Sequence, residues 1–336
     1  MKSKQWLGVL LLLVCSFLWG STFVAQEEAT VEPFTYLAMR SVVAVAFLAP
    51  VVIINDTVIK RRLKKFSEDA VNKKEPYISK TLLTGGILCG VTLFVASAAQ
   101  QIGMYQGTSA DKAGFITAMY LLIVPLLGLF FGKKVRGLHW LCIVIALAGL
   151  FLLCMTGGLQ EFSLKALFSL DTLGQMSIRT CDIYVIACAF LFSLQILCID
   201  KYSPKVDCLK LSIIEFAVVS VLSIIAMFIF EKPTVSGILN SWVSIVYAGV
   251  LSSGVAYTLQ IFGQKYTNPT VASMLMSLES AFAVVSSIVF SFVMTGTPKL
   301  PTGYEMVGSL LMFAAIILSQ IPERKKISSE SKAVSV

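Results

Sequence analysis

The chain has 336 residues, 57% hydrophobic and 14% charged, with a mean hydropathy of +0.83 and a net charge of +8. Soluble domains carry about 25% charged residues, so this composition excludes a soluble enzyme or binding module and implies a polytopic membrane protein. The positive balance then reads as loop charge that sets orientation in a bilayer, not as a nucleic-acid surface.

Ten apolar runs follow one another, at 6–25, 34–54, 81–104, 113–132, 138–156, 182–199, 209–230, 241–262, 271–293 and 304–321. Each is near the ~20 residues that a bilayer core requires, which predicts an all-α protein with ten transmembrane helices. The first run, LGVLLLLVCSFLWGSTFVA, exceeds a signal-peptide core and lacks a small-x-small cleavage site, so it reads as a retained helix. Ten helices put both termini on one side. With the amino terminus inside, 21 of the 27 Lys and Arg fall in inner segments and five in outer ones, with Arg40 inside a helix. The inner segment 55–80 holds eight of them and is the main topology determinant. The longest outer connection is 157–180, and the tail after 322 reads as solvated. The eight cysteines form no C-x-x-C, and His139 is the single histidine, at a helix start. No disulfide framework, metal site or cofactor is indicated.

The chain also repeats itself. At an offset of 159, QQIGMYQGTSADKAGFITAMYLLIVP (100–125) aligns with LQIFGQKYTNPTVASMLMSLESAFAV (259–284). Gln101 then meets Gln260, Thr108 meets Thr267, Ala113 meets Ala272, and Tyr120 meets Glu279. CSFLWGSTF (15–23) pairs with CAFLFSLQI (188–196). Each unit holds five helices, and an odd number forces the second to enter the membrane the opposite way round. Such inverted repeats place a substrate site near the midplane between them.

LLVCSFLWGSTFVA resembles the L-W-G-S-x-F opening of the drug/metabolite transporter superfamily, in its EamA branch. KAGFITAMYLLIVPLLGLF (112–130) and TNPTVASMLMSLESAFAVV (267–285) resemble that branch's fourth and ninth helices, with Ser280 where the family has proline. CDIYVIACAFLFSLQI resembles the start of the sixth, with Asp182 as its acidic cap. The resemblance implies ten helices in two inverted EamA repeats, residues 1–158 and 181–322, joined by an extracytoplasmic connection at 159–180 and followed by a cytoplasmic tail at 323–336. It further implies a multi-pass plasma-membrane transporter, not an enzyme, that exports or exchanges small metabolites such as amino acids. Four-helix relatives use a first-helix glutamate for proton exchange. This first helix has none, so that coupling does not carry over.

Charges at membrane depth cost at least ~2.5–3.5 kcal/mol each and mark functional sites by default. Three occur: Arg40, Glu215 and Glu279. On a helical wheel Glu279 shares a polar side with Ala272, Met276, Ala283, Ser286 and a serine stripe, while Met274, Leu278, Ala281 and Val285 form an apolar half suited to lipid. Glu279 is either a cavity carboxylate for a cation, ammonium or proton, or a packing carboxylate held by hydroxyls. Arg40 is either a fixed counter-charge for a substrate carboxylate or for Glu279, or a structural arginine bonded to carbonyls or snorkelling to the outer boundary, and Glu215 is either a further site residue or snorkels to the inner face. Gln101 and Gln260 occupy matching positions, and Tyr257, Gln260 and Gln264 share one face of helix eight. Trp19 and Tyr120 suit aromatic cavity walls that favour cations. Pro125 with Gly114, Ala118, Gly128 and Gly132 suggests close contact and a gating kink in helix four.

A secondary transporter for a zwitterion follows, with Arg40 and Glu279 serving its two ends and a proton or counter-substrate as coupling partner. It is expected to act as a monomer in the bilayer, without nucleic acid. A sugar-phosphate or nucleotide-sugar antiporter would want several buried cations, and only Arg40 lies deep. No H-E-x-x-H or metal cluster supports an intramembrane enzyme, and no filter signature supports a channel.

Overall fold

The computed structural model describes residues 2–27, 31–66, 78–108, 110–133, 135–155, 179–298 and 300–321. Most of the connection 159–180, the basic stretch 67–77 and the tail 323–336 lie outside them. The described residues are helical and contain no strand. The first repeat comprises α1 (Lys2–Glu27), α2 (Pro33–Phe66), α3 (Lys80–Tyr105), α4 (Ala110–Thr117), α5 (Tyr120–Phe130) and α6 (Gly137–Met155). The second comprises α7 (Thr180–Tyr202), α8 (Cys208–Phe230), α9 (Val235–Asn240), α10 (Trp242–Tyr247), a π-helical stretch (Ala248–Ala256), α11 (Tyr257–Gln264), α12 (Pro269–Met276), α13 (Glu279–Thr295) and α14 (Gly303–Ser319). Among the described residues, eight spans are long and apolar enough to cross a membrane, with α4–α5, α10–α11 and α12–α13 each making one. α6 and α14 are apolar but shorter. α2 continues past the expected run 34–54 to Phe66, into what reads in the sequence as loop. Between 51 and 66 there is no Gly or Pro to stop it, and its Lys, Arg and Leu favour helix.

The repeats are visible as matched contacts. α2 and α8 begin 175 residues apart, at Pro33 and Cys208, and pack antiparallel. At one end Glu231 accepts hydrogen bonds from Phe34 N, Thr35 N and Thr35 Oγ1, each at 2.7 Å. At the other end Lys210 pairs with Asp56 at 3.2 Å. The same offset carries Thr35 to Lys210 and Asp56 to Glu231, so one contact is the image of the other. Repeat mates α6 and α14 likewise cross antiparallel: a Cβ on Gly149 would lie 2.6 Å from Gly308 O, and one on Gly308 2.5 Å from Gly149 O. These two glycines are 159 residues apart. Helices that meet their own images antiparallel are related by a two-fold axis across the bundle, the geometry of an inverted repeat.

The remaining contacts respect the exchange. α3 packs on α7 as α1 packs on α11 and the π-helical stretch. α3 runs beside α8 through Gly86 and Gly90, while the π-helical stretch runs beside α2 through Gly249 and Gly254. α1 lies along α12 and α13, as α7 lies along α4 and α5. Beyond the bundle contacts, Lys133 and Asp200 form an ion pair between α7 and the residues just after α5.

Glu231 anchors the start of α2, where free N–H groups and the helix dipole favour a carboxylate. Hydrogen bonds to a charged group are worth about 1.5–3 kcal/mol. Glu231→Ala is therefore expected to lower thermal stability in detergent clearly. Thr35→Ala, which removes one bond of the three, should lower it less. Equal melting temperatures for Glu231→Ala and the native chain would contradict this anchoring.

Helices four and nine are both interrupted, and at matching residues. α4 ends at Thr117 and α5 begins at Tyr120, while α12 ends at Met276 and α13 begins at Glu279. Tight turns fill both gaps: Met119 N bonds Ile116 O at 3.1 Å, and Leu278 N bonds Leu275 O at 3.3 Å. The expected kink at Pro125 is thus displaced to residues 118–119. The second repeat breaks in the same place without a proline, so the break belongs to the repeat. Gly114 and Gly128 also make no close helix contact; the nearest atoms to their built Cβ positions lie 3.9 and 3.7 Å away.

Candidate functional site

A cavity lies between the repeats, with about 580 Å³ of empty space including its mouth. Trp19 and Thr22 of α1, Arg40 of α2 and Gln100 of α3 line it, with Thr117 and Tyr120 flanking the break in helix four. From the second repeat come Phe192 and Ile196 of α7, Ser252, Tyr257, and Met276 and Glu279 flanking the break in helix nine. Three of these are repeat-mate pairs: Tyr120 with Glu279, Thr117 with Met276, and Trp19 with Phe192. A cavity built from paired images straddles the symmetry axis. The broken helices serve it because α5 and α13 open with Tyr120 and Glu279, so both side chains enter from a helix start.

Of the residues expected at a site, Glu279, Arg40, Tyr257, Tyr120 and Trp19 reach the cavity, and Gln101, Gln260 and Glu215 do not. Tyr120 donates to Glu279 Oε1 at 3.4 Å, the long end of a hydrogen bond, so the carboxylate's partner is its own repeat mate. Of the serines thought to hold Glu279, Ser273 donates to Thr270 O and Ser277 to Met274 O, while Ser286 Oγ has no hydrogen-bond partner among the described residues. The expected lipid-facing half also fails for the first part of this span. Met274, Leu278 and Ala281 are fully buried. The reason is that α12 runs through the middle of the bundle, against α1 and α5, and only the later turns of α13 reach the periphery at Val285, Val289 and Val293.

Arg40 does not snorkel. It is 8% exposed, its guanidinium lies 5.8 Å from the Tyr36 ring centre, and Nε has no hydrogen-bond partner. Tyr36 is held by a 3.0 Å hydrogen bond with Ser244, which fixes the ring under the cation. No carboxylate among the described residues pairs with Arg40. Trp19 and Tyr257 meet edge to face with centroids 4.8 Å apart, and Tyr257 meets Phe216 at 5.4 Å.

Glu215 does not snorkel either; it is completely buried. Gln195 Nε2 donates to Glu215 Oε1 at 2.9 Å, and Gln260 Nε2 donates to Gln195 Oε1 at 3.2 Å. This chain of amides ending on a carboxylate stands apart from the cavity lining. Gln101 Nε2 has no partner, while its neighbour Gln100 donates to Thr117 Oγ1 at 3.0 Å. One residue is about 100° of helix rotation, which is why the aligned glutamine and the lining glutamine differ. His139 is buried at the start of α6, away from the cavity lining.

Thr22, Gln100, Thr117, Phe192, Ile196, Ser252 and Met276 line the cavity without having been singled out in the sequence. Thr117, Phe192 and Met276 were within reach of repeat logic, as mates of one another or of Trp19. Ser252 sits in the π-helical stretch AGVLSSGVA, whose small residues let the backbone widen against α2. π-turns are often found at functional sites.

A model described as the EamA-like transporter family matches residues 6–155 and 179–321. A relative from Archaeoglobus fulgidus named Uncharacterized transporter is 23% identical over 316 residues, covering 91% of this chain and 83% of the relative. A solved crystal structure at 18% identity superposes with a TM-score of 0.62, covering 93% of this chain and 96% of its own. That likeness concerns the fold.

Proposed function

This chain belongs to the EamA-like transporter family, and from that premise we propose that it exports a small zwitterion, an amino acid or close analogue, across the plasma membrane by alternating access. α6 and α14 complete ten spans, both termini face the cytoplasm, and a proton or counter-substrate is exchanged. The observation that carries the substrate class is the cavity's charge pair. Arg40 and Glu279 line one cavity together with Trp19, Tyr120 and Tyr257, and neither has an ion-pair partner among the described residues. A guanidinium suits a carboxylate, and a carboxylate beside Tyr257 and Trp19 suits an ammonium. One cation is too few for a phosphorylated or nucleotide-linked sugar.

Reconstitution in proteoliposomes with a panel of labelled amino acids tests this reading. Uptake or counterflow of at least one zwitterion, competed by other amino acids and not by sugar phosphates, is the expected result. Folded protein that moves none of the panel would overturn it. Within the panel, Arg40→Gln should weaken transport of amino acids by about tenfold or more, the worth of a charge-assisted contact of ~1.5–3 kcal/mol. It should spare amines that lack a carboxylate. Loss of both alike would contradict the assignment of Arg40 to the carboxylate.

A further inference from the structure

The symmetry that pairs the cavity residues also carries two of them out of it. Arg40 maps onto Glu215 at the offset of α2 and α8, and Thr22 maps onto Gln195 at the offset of 15–23 and 188–196. Gln101, beside the lining Gln100, maps onto Gln260. The images Gln195, Glu215 and Gln260 are the residues joined in the buried amide–carboxylate chain. The cluster is therefore the counterpart of the Arg40 wall of the cavity, in a half of the molecule that is closed.

Its position agrees. The end contacts Phe34–Glu231 and Asp56–Lys210 fix the register of α2 against α8. They place Arg40 and Glu215 about five residues from the crossing point on opposite sides, roughly 8 Å each at ~1.5 Å per residue. Tyr257 stands between them: its ring lines the cavity, touches Trp19, and also touches Phe216, the neighbour of Glu215. Gln260 and Gln264 continue the same face of α11 beyond it.

Hydroxyls aside, such as Ser41 Oγ, Ser97 Oγ and Thr267 Oγ1, which can donate or accept, the unpartnered atoms differ in kind on the two sides. Near Arg40 they are donors: Trp19 Nε1, Arg40 Nε and Gln101 Nε2. In the closed half they are acceptors: Glu215 Oε2, Gln260 Oε1 and Gln264 Oε1, on residues no more than 2% exposed. A buried acceptor without a partner costs about 1–3 kcal/mol, so a cluster of three calls for a ligand rich in N–H donors. A primary ammonium offers three.

We propose that Glu215, Gln195, Gln260 and Gln264 form a second substrate subsite, sealed behind Tyr257 in this conformation, that receives the ammonium end of the substrate when the bundle opens to the opposite face. The proposal rests on the zwitterion reading and adds an orientation to it. The route has a donor-rich half for the carboxylate and an acceptor-rich half for the ammonium. Displacement of the Tyr257 ring joins them.

The test uses Gln264→Cys in a chain whose eight native cysteines are replaced. It is treated in vesicles with a cationic trimethylammonium-ethyl or an anionic sulfonatoethyl methanethiosulfonate, each rate being normalised to a free thiol. Modification from the face on which α1 begins is expected, with the cationic reagent at least tenfold faster, and adding Glu215→Gln should remove that preference. A transporting chain in which the thiol reacts from neither face, or with equal rates for both reagents, overturns the subsite. If the cysteine replacements themselves stop transport, Glu215→Gln in the native chain decides. A tenfold loss of amino-acid transport at an unchanged melting temperature supports the subsite, and native transport overturns it. Absence of any amino-acid transport by the native chain would sink the zwitterion reading, while charge-selective modification at position 264 would still report the acceptor-rich route.

Discussion

Glu279→Gln is expected to lower transport at least tenfold while leaving the melting temperature close to native. The substitution keeps the shape and one acceptor oxygen, so contact with Tyr120 survives. What disappears is the capacity for a negative charge. The Tyr120–Glu279 bond is long, at 3.4 Å, and Ser273 and Ser277 are bonded to their own helix, so little of the local structure depends on that charge. A substrate ammonium depends on it directly. Charge-assisted hydrogen bonds contribute about 1.5–3 kcal/mol, which corresponds to roughly ten- to 150-fold in affinity. Tyr120→Phe serves as the control, since it removes the phenol and keeps the charge, and its effect on transport should be much smaller. Initial uptake rates and thermal shifts measured on the same preparations check the prediction. Equal losses in both variants, accompanied by equal drops in melting temperature, would make Glu279 a packing residue.

Period and composition made the helices and the repeat legible because a bilayer requires every span to be apolar and the same residue pattern recurs along the chain. The offset of 159 read from Gln101–Gln260 and Tyr120–Glu279 holds to the residue in the structure, down to the paired interruptions at Thr117 and Met276. Charge at depth singled out Arg40 and Glu279, and both line the cavity. The same rule could not separate them from Glu215, because burial against protein and exposure to a cavity look alike in an apolar run. Snorkelling, one alternative for both Arg40 and Glu215, fails because both are buried among neighbouring helices, and depth along one helix says nothing of the helices around it. The wheel for helix nine failed for a related reason. Periodicity reports two faces, and a span that passes through the centre of a bundle has none turned to lipid at Leu278. Gln101 against Gln100 shows the remaining limit: an alignment fixes the residue to within one position, and one position is a different face.

The largest stability effect is expected at Gly149. α6 and α14 touch through Gly149 and its own repeat mate Gly308, so the contact sits on the symmetry axis and each glycine is the other's neighbour. A methyl group on Gly149 would come within 2.6 Å of Gly308 O and 3.0 Å of Leu311 Cβ and Met312 Cγ. The first of these is backbone, which cannot rotate away, so the helices must separate. Small residues at such crossings supply the packing that holds membrane helices together, because lipid is as apolar as any side chain they could bury. Overpacking costs about 1–3 kcal/mol for added methylenes, and a leucine here adds several against two backbones. Total stability is typically ~5–15 kcal/mol, so Gly149→Leu is expected to remove most folded protein, and Gly149→Ala to lower the melting temperature measurably. Gly308→Ala should match Gly149→Ala, as its image. Gly114→Ala provides the contrast: its nearest atom is 3.9 Å away, Ser280 Oγ across the bundle, and it should fold normally. Monodispersity in detergent and thermal shift decide the matter. A native elution profile and melting temperature for Gly149→Leu would mean that α6 and α14 do not meet at these residues, and the two-fold relation between the repeats would lose its closest contact.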